Sequence, residues 1–248
     1  MCEKDKKDDK QLPEELTIMA KKDLGITVID LFCGAGGFSE GFHQAGFDVV
    51  YGIDNWEPAC KTHTLNNLGE TRNLGLLEFD VDKVLSLKKE LEKKFGVIDI
   101  IIGSPPCTEF SYAKKGGKGD TEKGMHLVRR HLLFVALFNP KYWLMENVPR
   151  LENVLNTECK GSRQKGWTIT YEKLGIPKNR FKELDLKGNS LSIPLGDVFT
   201  ASDYGTYQNR KRFIAGNFPL EFMEENKAGL DKDISLGNLL KMVEDHFS

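Results

Sequence analysis

From Ile26 onward the chain alternates short apolar runs with amphipathic stretches, and the runs stop at or beside a glycine or an acidic residue. No other feature restricts the fold as much. Residues 26–32 form an apolar strand that ends in a glycine-rich turn, and residues 38–45 have helical spacing. Residues 48–54 are a second strand, followed by a helix around 58–66. Residues 76–80 read as a short third strand. Residues 84–95 repeat apolar side chains at helical spacing, with lysines on the outer face. Residues 97–103 are apolar throughout except Asp99, the pattern of a central parallel strand. A helix at 126–139 and a fifth strand at 141–146 complete the series. Strands alternating with helices predict an α/β fold with a doubly wound, mostly parallel sheet. Such sheets bind ligands beyond the carboxyl ends of their strands.

Past residue 153 the pattern weakens, although 167–171, 195–200 and 211–217 read as strands. A last helix is expected from Ser235, a good N-cap, with Leu236, Leu239, Leu240, Val243 and Phe247 on one face. Residues 1–24 mix Lys, Asp and Glu with few apolar residues and are expected to be a flexible charged tail before a single domain at 25–248. That length can bury a real core. The longest apolar runs, such as 132–138, are far below the roughly 18 residues of a membrane span. The charged N-terminus does not resemble a signal peptide. Five scattered cysteines (Cys2, Cys33, Cys60, Cys107, Cys159) without a Cys-x-x-Cys pair argue against a disulfide framework or a zinc site and fit the reducing cytoplasm. A net charge of −2 does not exclude a nucleic-acid partner, because local clustering of charge decides that.

Four segments carry candidate chemistry. The first is Asp30-Leu31-Phe32-Cys33-Gly34-Ala35-Gly36-Gly37-Phe38, between strand one and helix one. Gly34 and Gly36 fit the first two glycines of a dinucleotide fingerprint, but Ser39 stands where the third belongs. Asp54 ends the second strand, where a carboxylate can bind ribose hydroxyls, and Asp80 ends the expected third. These strand ends suit a nucleoside cofactor without a pyrophosphate. A tight turn with no ligand is the plainer alternative.

The second segment, Gly103-Ser104-Pro105-Pro106-Cys107-Thr108-Glu109-Phe110-Ser111, places a cysteine on a stiff turn after strand four. Most free cysteines are small buried hydrophobes. Here a glycine-rich basic stretch follows, with Lys114, Lys115, Lys118 and Lys123, suited either to close over a phosphate backbone or to stand as a solvated loop. The third segment, Glu146-Asn147-Val148-Pro149, ends an apolar strand with a carboxyl group, which burial would help to hold a proton. The alternative is an acid paired with a helix dipole. The fourth, Gln208-Asn209-Arg210-Lys211-Arg212, puts two guanidinium groups on one side of a strand, able to hold a carboxylate, a phosphate or a base edge.

In their order and placement these segments resemble the C5-cytosine DNA methyltransferases, over about residues 27–217. Phe32-Cys33-Gly34-Ala35-Gly36-Gly37 is similar to the family's S-adenosylmethionine loop, Pro105-Pro106-Cys107 to its nucleophile motif, Glu146-Asn147-Val148 to its Glu-Asn-Val motif and Gln208–Arg212 to its Gln-x-Arg-x-Arg motif. The resemblance implies a Rossmann-like methyltransferase domain with S-adenosylmethionine as cofactor and double-stranded DNA as partner. It implies that Phe32 stacks near the adenine and that Gly34, Ala35, Gly36 and Gly37 line the cofactor. Asp54, with Asn55 beside it, would bind the ribose. Asp80 would accept from the adenine amino group, with Val81 beside the ring and Leu127 making a backbone contact. Cys107 would attack C6 of cytosine, Glu146 would contact N3, and Arg212 would hold the base with Arg210 in support. Ser111, Lys114, Lys115 and Lys118 would touch the nucleic acid around a flipped base.

One departure stands out. The family continues past this last motif with a target-recognition domain and a Gly-Asn-Ser motif, yet 36 residues follow Arg212 here. Gly188-Asn189-Ser190 precedes Arg210 and reads as a turn. The expectation is the catalytic part of a split enzyme, with recognition on a second subunit, or a fragment. A tRNA cytosine methyltransferase and a non-catalytic cofactor- or DNA-binding subunit are the competing functions. A nicotinamide-dependent dehydrogenase is disfavoured by Ser39.

Overall fold

A computed structural model of the chain describes residues 24–66, 68–108, 110, 120–206 and 208–219. In chain order the elements are β1 (Thr27–Leu31), α1 (Gly37–Gln44), β2 (Asp48–Asp54), α2 (Glu57–Leu65) and β3 (Glu70–Asn73). Next come α3 (Val81–Phe95), β4 (Ile100–Gly103), α4 (Thr121–Phe138), β5 (Tyr142–Asn147) and α5 (Arg150–Glu158). Then follow β6 (Lys160–Ser162), β7 (Gly166–Thr170), β8 (Ser190–Ile193), β9 (Leu195–Thr200) and β10 (Lys211–Gly216). The main sheet has seven strands in the order β3-β2-β1-β4-β5-β10-β9. Its first five are mutually parallel, while β10 runs antiparallel to both β5 and β9. This is the doubly wound α/β architecture expected from the alternation.

The central strands show why. Ile29, Leu31, Ile53 and Ile101 face Val84, Leu87, Leu91, Val128 and Leu132 of α3 and α4 in one core. Their neighbours Val28, Val49, Ile100 and Ile102 face Phe42 of α1 and Phe47 in a second. A strand covered on both faces reads as a nearly continuous apolar run, and that is how β4 and, apart from Thr27 and the buried Asp30, β1 read. The strand order changes direction between β1 and β4, whose ends therefore border the ligand crevice.

Beside this sheet lies a smaller antiparallel one, β6-β7-β8. Trp167 anchors it, with its ring edge-on to Phe213 at 5.9 Å and its Nε1–H donating to Asn156 Oδ1 at 2.8 Å. Arg163 ties it further, bridging Glu152 and Asp197. Gly188 and Asn189 form a turn into β8, as expected.

The expected third strand is corrected. Residues 76–80 are not a strand: Leu76–Glu78 is a single 3₁₀ turn, which buries Leu76 while Phe79 is buried just beyond it. The third strand is Glu70–Asn73, a polar edge strand with no apolar pattern to betray it. Asp80 therefore ends no strand. It is the N-cap of α3, where its Oδ1 accepts from Lys83 N at 2.9 Å. Helix α5 and strands β6 and β8 were not expected. The tail at 1–23 and the helix from Ser235 lie outside the described residues. Among the described residues no helix is long and apolar enough to cross a membrane.

One buried residue strains this core. His131 of α4 is fully buried beside Trp143, and neither ring nitrogen has a partner. Burial pulls its pKa from 6.5 to about 3. The unfolded chain therefore takes up a proton that the native state refuses as pH falls from 6.5 towards 3, so stability drops across that window. We expect His131→Leu to stabilise the fold by about 1–3 kcal/mol at neutral pH. The advantage should grow at about 1.4 kcal/mol per pH unit below the unfolded-state value. Denaturant unfolding at pH 7.5 and pH 5 checks this. An advantage that does not change with pH would remove the explanation.

Candidate active site

The carboxyl ends of β1, β4 and β5 carry the first three segments singled out above, that of β2 carries Asp54, and the fourth segment leads into β10, which runs antiparallel to β5. After β1 the chain turns sharply. Phe32 has φ +61°, which is uncommon for a residue with a side chain, and Gly34 and Gly36 follow at +54° and +99°. Gly36 is the N-cap of α1. Phe32 and Gly34 are half-buried, while Ala35 and Gly37 are exposed. The loop is tied to the end of β2 at two points. Cys33 N donates to Ile53 O at 3.1 Å, and Gly34 N donates to Asp54 Oδ2 at 3.0 Å. The other oxygen, Asp54 Oδ1, accepts from Trp56 N at 2.9 Å. Two backbone donors thus fix the carboxylate, leaving lone pairs free for hydroxyl groups. Asn55 is exposed beside it. Trp56 is 64% exposed, an open aromatic surface next to a fixed carboxylate. Sequence reasoning passed over it, although so large an exposed aromatic is itself a signal.

Asp80, Val81 and Leu127 meet this loop through no direct hydrogen bond. Their neighbours in the chain link α4 to α3 instead. Arg130, one helical turn from Leu127, donates from Nη1 to Phe79 O at 2.9 Å and so ties α4 to the start of α3. Asp80 is exposed there, and Val81 is buried.

Ser104 N donates to Leu31 O at 3.1 Å, which continues the β1–β4 pairing past the sheet edge and carries the Pro105-Pro106-Cys107 turn towards the glycine-rich loop. Phe110 N closes the turn on Cys107 O at 2.9 Å, and the buried Phe110 ring fills the space left by Gly124. Cys107 is half-exposed, whereas Cys33, Cys60 and Cys159 are buried. Burial pushes those three thiols up, away from the reactive thiolate form.

Asn147 joins this turn to β5. It is fully buried, its Nδ2 donates to Pro105 O at 2.8 Å, and its Oδ1 accepts from Val148 N at 2.9 Å. The sequence reading assigned it no task. One residue earlier, Glu146 pairs through Oε1 with Arg212 Nε at 2.5 Å. Cross-strand register makes the pair, since Ile214 of β10 lies opposite Glu146 and Arg212 is two residues before it. Burial pushes the Glu146 carboxyl above its ordinary value, and the Arg210 charge pulls against it. Arg210 itself is exposed and precedes β10 rather than lying within it. Ser111, Lys114, Lys115 and Lys118 lie outside the described residues.

The fold and this edge define a class: a doubly wound α/β domain with a glycine-rich crevice next to a cysteine turn. The particular family follows from comparison. The profile of the C-5 cytosine-specific DNA methylase family matches residues 26–227, and the chain belongs to that family. It is 42% identical over 123 residues to the type II methyltransferase M.HgiGI of Herpetosiphon aurantiacus, covering 49% of this chain and 90% of that protein. It is 35% identical over 197 residues to DNA (cytosine-5)-methyltransferase 1 of Gallus gallus, covering 76% of this chain and 12% of that one. Type II methyltransferase M.HgiDI of Herpetosiphon aurantiacus is 35% identical over 160 residues, 61% of this chain and 48% of that protein. Among solved structures, a proposed DNA modification methyltransferase encoded within an E. coli prophage superimposes with a TM-score of 0.52 at 25% identity, over 77% of this chain and 46% of that one. M.HgiGI apart, the chain thus spans half or less of each of these relatives.

Proposed function

We propose that this chain transfers a methyl group from S-adenosylmethionine to C5 of a cytosine in double-stranded DNA, within the cytoplasm and as a modification or restriction-modification methyltransferase. One juxtaposition carries the reading. The only half-exposed cysteine among the described residues sits on a turn joined on one side to the strand of the cofactor loop and on the other to the strand of Glu146. Family membership and the type II names of the relatives favour DNA over tRNA as substrate.

The crevice suits a nucleoside without phosphates. It offers backbone N–H groups and glycines at the loop and a carboxylate at each of Asp54 and Asp80. Gly34, Ala35, Gly36 and Gly37 would line the methionine side, with Phe32 against the adenine. Asp54 and Asn55 would take the ribose hydroxyls, beside Trp56. Asp80 would accept from the adenine amino group, with Val81 and Leu127 along the ring. When bound, the cofactor supplies an electrophilic methyl group on a sulfonium.

Cytosine C5 is a poor nucleophile. The Cys107 thiolate adds to C6 and drives electron density towards N3 and C5. Glu146 delivers a proton at N3, so that the adduct is neutral, and Arg212 holds the base in place with Arg210 in support. After methylation the C5 proton leaves to solvent, Cys107 departs as the thiolate and the N3 proton returns to the Glu146 carboxylate, which restores the aromatic ring. The ring is unreachable inside a duplex, so the nucleotide must flip out at a cost of a few kcal/mol. The basic segment with Ser111, Lys114, Lys115 and Lys118 is the candidate clamp. A target-recognition module on a second subunit belongs to the same proposal.

The test measures labelled methyl transfer to DNA and to tRNA, by this chain and by its mixture with the product of a neighbouring reading frame. Transfer to cytosine in DNA is the expected result. Transfer to tRNA only would overturn the substrate, and cofactor binding without transfer in every mixture would overturn catalysis.

A further inference from the structure

Ser39 stands where a dinucleotide loop would have its third glycine, and the reaction above gives it no task. In the structure it is fully buried and belongs to a hydrogen-bonded chain through four elements: Asp30 on β1, Ser39 on α1, His63 on α2 and Thr71 on β3. Ser39 Oγ donates to Asp30 Oδ2 at 2.7 Å. Ser39 Oγ and His63 Nε2 are 3.0 Å apart, and His63 Nδ1 and Thr71 Oγ1 are 2.7 Å apart. A count of protons orients the chain. Burial raises the Asp30 carboxyl to about 7, and in its ionised form Ser39 gives it its one proton, so that the Ser39 oxygen accepts from His63 Nε2–H. A neutral imidazole has one N–H, so Nδ1 is bare and accepts from the Thr71 hydroxyl. Burial keeps the ring neutral, pulling its pKa down against the charge of Asp54.

The ring lies directly under the glycine-rich loop. A Cβ on Gly36 would lie 2.2 Å from Leu68 Cδ1 and 3.1 Å from His63 Cδ2, and one on Gly52 would lie 2.9 Å from Cys33 Sγ and 3.0 Å from His63 Cε1. The imidazole, with Leu68 on one side and Cys33 on the other, thus occupies the space that two glycines leave open. From the other direction the same loop is tied to Asp54 through Gly34 N.

We propose that the Asp30–Ser39–His63–Thr71 chain is a positioning device for the cofactor loop: Thr71 and Ser39 fix the His63 ring, and the ring sets where Gly36 and Gly34 stand relative to Asp54. The inference rests on the reading that this loop holds the methyl donor. Thr71 is then a positioning residue, acting on the loop only through His63.

The test uses Thr71 because it is remote from the loop and has near-isosteric replacements. Thr71→Val removes the hydroxyl, and Thr71→Ser keeps it. S-adenosylhomocysteine affinity is measured by calorimetry, and amide exchange over residues 33–37 in the ligand-free protein. Thr71→Val should bind the probe about fivefold to tenfold more weakly and exchange faster at 33–37, with Thr71→Ser within about twofold of wild type. Wild-type affinity and wild-type exchange at 33–37 in Thr71→Val would overturn the proposal. A wild-type protein that fails to bind the probe would overturn the cofactor reading, and loop exchange in Thr71→Val would then decide the positioning role by itself.

Discussion

Replacing Cys107 with alanine should abolish methyl transfer, lowering the rate by at least about 10³-fold, while the domain stays folded and keeps its cofactor affinity. The rate effect is large because no other group can take the place of the thiolate. Without addition at C6, C5 never becomes nucleophilic enough to displace the methyl group. The other described cysteines offer no substitute, since Cys33, Cys60 and Cys159 are buried with their thiols pushed up. The fold should survive because Cys107 is half-exposed and the turn around it is held by other atoms, chiefly Asn147 Nδ2 on Pro105 O and Phe110 N on Cys107 O. Both contacts use backbone acceptors that an alanine leaves intact. Surface changes of this kind cost within about 0.5 kcal/mol. Tritiated-methyl incorporation, thermal unfolding and S-adenosylhomocysteine calorimetry read the three parts separately. Persistent incorporation by Cys107→Ala would remove the nucleophile assignment.

What the sequence disclosed follows from where each residue sits. β1 and β4 are covered on both faces, so their apolar runs announced central strands. β3, Glu-Thr-Arg-Asn at the sheet edge, buries no side chain fully and left no pattern. The apolar residues just after it attracted the strand assignment instead, and with it a wrong setting for Asp80. The glycine-rich loop was legible because its φ values demand glycine. Its support was not, since Asp30, Ser39, His63 and Thr71 are scattered over four elements. The same holds for the Asn147–Pro105 link, whose partners are 42 residues apart. Periodicity reports the face a residue takes within its own element, and says little about contacts between elements.

The second large effect is expected at Glu146. Glu146→Gln keeps the shape and can still hydrogen-bond the base, but it has no proton to give. Methyl transfer should fall by about 10²–10⁴-fold, the usual weight of a positioned general acid, with a much smaller change in DNA affinity. The pH dependence separates this from a loss of binding. Burial raises the Glu146 carboxyl, and the Arg210 charge opposes it. The active form is the acid, so the wild-type rate should decline as pH rises through the shifted value, and the glutamine variant should lack that limb. Removing a cation should move the limb in a known direction: with Arg210→Ala the carboxyl loses an opposing charge, its pKa rises, and the decline should start at higher pH. Single-turnover rates between pH 5.5 and 9 decide the matter. A Glu146→Gln profile with the wild-type alkaline limb would assign that limb to another group and leave Glu146 as a base-holding residue only.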